Sequence, residues 1–158
     1  MAGRFARLAT FATLLAMGWG PGAPLAADAQ GANQSLDATC TSFSQALLAQ
    51  AYGATPWQLD PFEQKASPAF LQATQRPALE AMLAPYSNEL GSLTEQQGQT
   101  ATITPPSSSD NNTTVCVYQA NGTFQRGTAT VGLVLVLTGN DWQVLRIRLH
   151  DVEHPASS

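Results

Sequence analysis

Apolar residues recur at helical intervals along the first half of the chain and at every other position along the second. In "SLDATCTSFSQALLAQAYG" the positions Leu36, Cys40, Phe43, Leu47 and Ala51 fall four, three, four and four residues apart, the spacing of one face of an amphipathic helix. Ser35 is the predicted N-cap, Asp37 sits in the first turn, and Gly53 stands where a helix ends. The next segment is interrupted by Pro56, Pro61, Pro68, Pro77 and Pro85, which exclude one long helix and predict several short ones. Thr55, Asp60 and Ser67 each precede a proline and are predicted caps, and Asp60 with Glu63 has capping-box spacing. Trp57, Phe62, Phe70, Leu71, Leu79, Met82, Leu83 and Tyr86 supply the predicted core side of these helices.

After Gly91 the period falls to two. "QTATIT" and "TTVCVYQ" read as strands around the polar loop "PPSSSDNN", and Asn121-Gly122 reads as a two-residue hairpin turn. For the last hairpin, a two-residue turn at Gly139-Asn140 would mix arginines into the leucine face. A three-residue turn, Gly139-Asn140-Asp141, sets Leu137 by Gln143, Leu135 by Leu145, Leu133 by Ile147 and Val131 by Leu149. Because a one-residue slip flips every side chain, the second register is expected. One face is then apolar and belongs beneath the helices. The other carries Trp142, Val144, Arg146 and Arg148, the candidate ligand or interface residues. Helices first and strands afterwards predict an α+β fold, with N-terminal helices packed on one face of a curved antiparallel β-sheet.

A chain of 158 residues with 44% hydrophobic content can bury one core. Residues 1–29 carry Arg4 and Arg7, then the apolar run Leu8 to Met17, then small residues ending in Ala27-Asp28-Ala29. That order is the pattern of a secretory signal peptide with its cut after Ala29, and the apolar run is half the roughly 20 residues that a membrane span needs. The organisation expected is a signal peptide at 1–29, a flexible lead at 30–34, a single α+β domain at 35–152 and a disordered tail at 153–158. The mature chain is then secreted or periplasmic, with no membrane insertion after cleavage.

Cleavage leaves five basic and ten acidic residues, a balance that argues against nucleic acid or an anionic membrane surface as partner. In an oxidising compartment the pair Cys40 and Cys116 reads as a disulfide, two buried free thiols being the alternative. Asn33, Asn111, Asn112 and Asn121 begin N-x-Ser/Thr triplets, which matter only in a host that glycosylates exported proteins.

The segments "TCTSFSQALLAQAYG", "SPAFLQ", "RPALEAMLAPYSNELGSL" and "YQANGTFQRGTATVGLVLVLTGNDWQVLRIRL" resemble small exported members of the nuclear transport factor 2-like superfamily, whose closing turn and strand carry a G-x-W-x-V pattern. The counterpart here, Gly139 to Val144, has one residue more between glycine and tryptophan, and the resemblance covers about Ser35 to Val152. It implies a cone between helices and sheet that serves isomerases, dehydratases and cyclases in some members and no catalysis in others.

An isomerase-like site would need a carboxylate base in an apolar pocket with a tyrosine or protonated acid opposite; the candidates are Asp60 with Tyr86 or Tyr118. Asp60 also has a capping explanation. Nucleophile catalysis lacks its pattern: there is no G-x-S-x-G, and both histidines, His150 and His154, lie near the tail. "HDVEH" is a weak metal-ligand set on a terminal segment. The inhibitory hairpins of cystatins, which share a helix-on-sheet shape, are also unmatched, since Pro56-Trp57 falls early and no Q-x-V-x-G occurs. The reading that remains is a non-catalytic binding or assembly module without a cofactor or metal, taking a small apolar ligand with an acidic end or a protein partner, which includes a homodimer.

Overall fold

The computed structural model describes residues 25–107 and 112–154, without the side chains of 25–30 and 33. The basic start and apolar run of the predicted signal peptide lie outside these residues, as do Asn111 and residues 155–158. Among the described residues four helices, α1 (Leu25–Tyr52), α2 (Asp60–Gln64), α3 (Pro68–Ala73) and α4 (Arg76–Leu90), precede four strands, β1 (Leu93–Thr104), β2 (Val115–Phe124), β3 (Gly127–Thr138) and β4 (Asp141–Glu153). The strands form one curved, open antiparallel sheet in the order β1-β2-β3-β4, with helices packed on one of its faces.

The face expected for α1 is the face it uses: Cys40, Leu47 and Ala51 are buried, joined by Ser44, Leu48 and Tyr52. The helix does not start at Ser35. It begins at Leu25 and runs through the expected lead at 30–34, because no proline there interrupts it and a serine is permitted, not obliged, to cap. Opposite α1, the sheet presents Cys116, Tyr118, Ala120, Val131, Leu133, Leu135 and Val144, all buried. A disulfide joins Cys40 to Cys116 across the two layers, with a sequence separation of 76. Among the described residues no helix is long and apolar enough to cross a membrane.

Ser67 caps α3 as expected, its Oγ accepting from the Phe70 amide at 3.1 Å. Asp60 does not cap α2. The N-cap is Leu59, while Asp60 and Glu63 both turn to Arg76. No helix starts after Thr55, where the Pro56 segment instead runs to the buried Trp57. Pro85 lies inside α4 without ending it; the proline is exposed, so the carbonyl it leaves without a partner faces water. Leu71 and Met82, expected in the core, are 50% and 46% exposed.

Two turns differ from expectation. Asn121-Gly122 is not a turn but lies within β2, and the hairpin reverses at Gln125-Arg126, with Phe124 paired to Gly127. Tertiary bonds hold that reversal to the end of α4. The Arg126 amide donates to the Leu90 carbonyl at 2.9 Å, and its guanidinium donates to the Glu89 and Asn88 carbonyls, the usual place for a cation at a helix C-terminus. Gly122 is required for space, since a Cβ there would meet the Phe124 ring at 2.9 Å and Leu93 at 3.1 Å.

In the last hairpin the turn has two residues, with Thr138 paired to Asp141, Leu137 to Trp142 and Leu135 to Val144. A β-bulge follows between Val134 and Leu135, so Leu145 is the extra residue. Beyond it the expected pairs Leu133 with Ile147 and Val131 with Leu149 are restored. One inserted residue thus reconciles a short turn with an apolar face.

Candidate functional site

The bulge at Leu145 divides the four sequence candidates. Trp142 and Val144, placed by the three-residue turn beside the arginines, face the helices and are buried. The Trp142 indole N–H donates to Thr39 Oγ1 at 3.2 Å. The Val144 amide donates to the Lys65 carbonyl at 2.7 Å, and its carbonyl accepts from Ser67 at 2.8 Å. These two residues join the helices to β4. Arg146 and Arg148 stand exposed on the other side of the strand, opposite Val134 and Gly132.

Clefts lie on two sides of α4 among the described residues. The larger, about 390 Å³, is lined by Trp57, Leu59, Asp60, Arg76, Glu80 and Leu83 among others. Its polar groups already serve one another. Arg76 donates to Asp60 at 2.7 Å, to Glu63 at 2.7 Å and to Glu80 at 2.9 Å. The bonds to Asp60 and Glu80, with the nearby Glu63 charge, push the Arg76 pKa above its ordinary value. Trp57 is committed too: its amide donates to Ser87 Oγ at 3.0 Å and its indole N–H to the Gly91 carbonyl at 2.8 Å. Its ring lies 4.3 Å from that of Tyr52 and 5.6 Å from that of Phe124. This corner locks the segment after α1 onto α4.

The second cleft, about 330 Å³, opens between α4 and β4 and is lined by Met82, Leu83 and Tyr86 and by the run Ile147 to His150. Its walls are apolar and its rim carries Arg148. Among the described residues Arg146 and Arg148 have no ion-pair partner. His150 is engaged by Asp151, Nδ1 to Oδ2 at 2.7 Å, and His154 by Glu89 at 2.7 Å, so the two histidines turn to different carboxylates.

The residues weighed for an isomerase are not brought together. Asp60 lines the first cleft with its side chain 60% exposed, and Tyr86 lines the second. Tyr118 is buried between helices and sheet, its hydroxyl donating to Gln96 Oε1 at 3.1 Å; burial pushes its phenol up to about 12. The Tyr52 hydroxyl is also buried, with no hydrogen-bond partner among the described residues, and burial raises its pKa as well. The space between α1 and the sheet is filled by Leu48, Tyr52, Phe62, Tyr118, Leu133 and Leu135.

Sequence reasoning missed the helical wall of the second cleft. Leu79, Leu83, Ser87 and Leu90 form the buried stripe of α4. Met82 and Tyr86 each precede a stripe residue and so lie about 100° around the helix. The signal was present in that offset, which separates a flank from a core. Comparison with family models, with curated proteins and with solved structures finds no match for this chain.

Proposed function

We propose that the protein is an exported, non-catalytic binding module whose α4–β4 cleft holds an apolar ligand bearing carboxylate. The observation that carries this reading is an apolar cleft lined by Arg148, with Arg146 two residues before it on the same exposed side of β4 and neither arginine ion-paired among the described residues, on a chain of net charge −4. Apolar walls supply affinity and a few placed polar groups orient the ligand. Export, to a periplasm or outside the cell, is part of the same proposal. It is supported by the disulfide between two fully buried cysteines, which fits an oxidising, extracytoplasmic environment. Kinship with the nuclear transport factor 2-like superfamily is likewise a proposal, supported by the order of helices and strands and by the closing Gly139 to Val144 segment.

The test is calorimetric titration with decanoate and with decanol. Decanoate should bind saturably, decanol more weakly, and the combined Arg146→Ala and Arg148→Ala variant should lose the difference between them. Equal binding of acid and alcohol by the parent protein would remove the arginines from the site.

A further inference from the structure

The edge of β4 is already used once for strand addition, by the chain itself. Lys65 to Ser67 run parallel to it and claim both backbone groups of Val144, after which α3 turns away at Pro68. Outward backbone groups alternate along an antiparallel edge. Val144 points outward, the bulge inserts Leu145, and Arg148 pairs inward with Gly132, so Ile147 and Leu149 are the next residues whose N–H and C=O face away from β3. Among the described residues nothing pairs with them. They lie in the α4–β4 cleft, with Met82 and Tyr86 across from them. A groove between a strand edge and a helix is a geometry that accepts an extended peptide.

We infer that the natural occupant of this cleft is an extended segment of a partner protein in which apolar and acidic residues alternate, added as a fifth strand along Ile147 to Leu149. The inference rests on the function proposed above and names the ligand class. The pleat dictates the alternation: successive side chains of an added strand point to opposite faces of the sheet. One set meets Met82 and Tyr86. The other lies beside Arg146 and Arg148, which are two residues apart and therefore repeat at roughly 7 Å, the same interval as every second residue of the incoming strand. Cross-strand pairs of opposite charge favour this register. A second copy of the chain is disfavoured at the same edge, because antiparallel pairing of two β4 strands around Ile147 would set each Arg146 against the other copy's Arg148, and pairing around Arg148 would set the two Arg148 side chains against each other.

The experiment uses fluorescence polarisation with an eight-residue acetylated peptide alternating valine and glutamate, alongside decanoate as competitor. Four comparison peptides are required: one with the same residues in two blocks, one with lysine for glutamate, and two N-methylated on every second backbone nitrogen, one in each phase. The alternating peptide should bind, the block and lysine peptides should bind at least about tenfold more weakly, and one N-methylated phase should do the same, since it blocks the hydrogen bonds to the edge. Arg146→Glu with Arg148→Glu should exchange the preference, so that the lysine peptide binds better than the glutamate one. If decanoate binds but the alternating peptide does not, or if both N-methylated phases bind as well as the parent peptide, strand addition is overturned while the cleft reading stands. If neither decanoate nor any carboxylate peptide binds, both fall, and the two arginines are guards that keep a bare edge from pairing.

Discussion

Replacing both Cys40 and Cys116 with alanine removes the covalent tie between α1 and β2 while leaving small apolar side chains at two fully buried positions. The bridge closes a loop with a sequence separation of 76. Loop-closure entropy for that length amounts to about 4.5 kcal/mol at room temperature, an upper figure for the chain-entropy account. For a folded region of this size that corresponds to a fall in melting temperature of roughly 10–20 °C. Thermal unfolding followed by circular dichroism, on parent and double variant in oxidising buffer, measures it directly. Because neither sulfur is exposed, a reductant in native buffer should leave the parent unchanged until it unfolds, and the parent reduced in denaturant should then melt with the double variant. A double variant melting within about 3 °C of the parent would refute the reasoning. So would reduction of the native parent at the rate of an exposed disulfide.

Leu135→Ala, at a fully buried position beneath the helices, should cost about 2–5 kcal/mol in denaturant unfolding, whereas Arg146→Ala and Arg148→Ala should each stay within about 0.5 kcal/mol; comparable losses would mean that the two faces of β4 are assigned wrongly. Burial raises the pKa of Tyr52 and takes Tyr118 up to about 12, above an unfolded value of about 10. The stability held by these neutral phenols is therefore complete below about pH 10 and is lost as pH rises from there towards the folded values. In a Tyr86→Phe background, tyrosinate absorbance should appear together with loss of the fold; both phenols ionising near pH 10 in folded protein would contradict the burial. Gly91→Ala should destabilise by about 1 kcal/mol or more, since Gly91 has a φ of 77° and its Cβ would meet the Gln125 side chain at 2.7 Å; an unchanged melting curve would contradict it.

The α+β order and the buried face of α1 were legible because period and core agree there: Cys40, Leu47 and Ala51 are apolar at helical spacing and meet the sheet at that spacing. Ser67 was legible because capping is local. What escaped the sequence depends on partners far along the chain. Asp60 and Glu63 have the spacing of a capping box, but Arg76 offers both a charged partner. Asn121-Gly122 has turn chemistry, but the bonds from Arg126 to the end of α4 fix the reversal at Gln125-Arg126. Leu145 carries no glycine or proline to mark it as a bulge, so the hydrophobic pattern beyond it was read correctly and the turn before it was not. The same bulge explains the mixed outcome at the candidate site. It turns Trp142 and Val144 inward as structural ties and leaves Arg146 and Arg148 on the opposite side of the strand, while Met82 and Tyr86, counted with the core, line the cleft with Ile147 to His150.

The central claim is that the α4–β4 cleft is where this protein binds an apolar carboxylate. Its most direct test is a backbone amide NMR titration of the parent protein with decanoate. Saturable shifts should concentrate at Met82 to Tyr86 and at Ile147 to His150, and should shrink in the Arg146→Ala, Arg148→Ala variant. Shifts concentrated at Trp57 to Asp60 and Arg76 to Glu80, or no saturable shifts at all, would contradict the account.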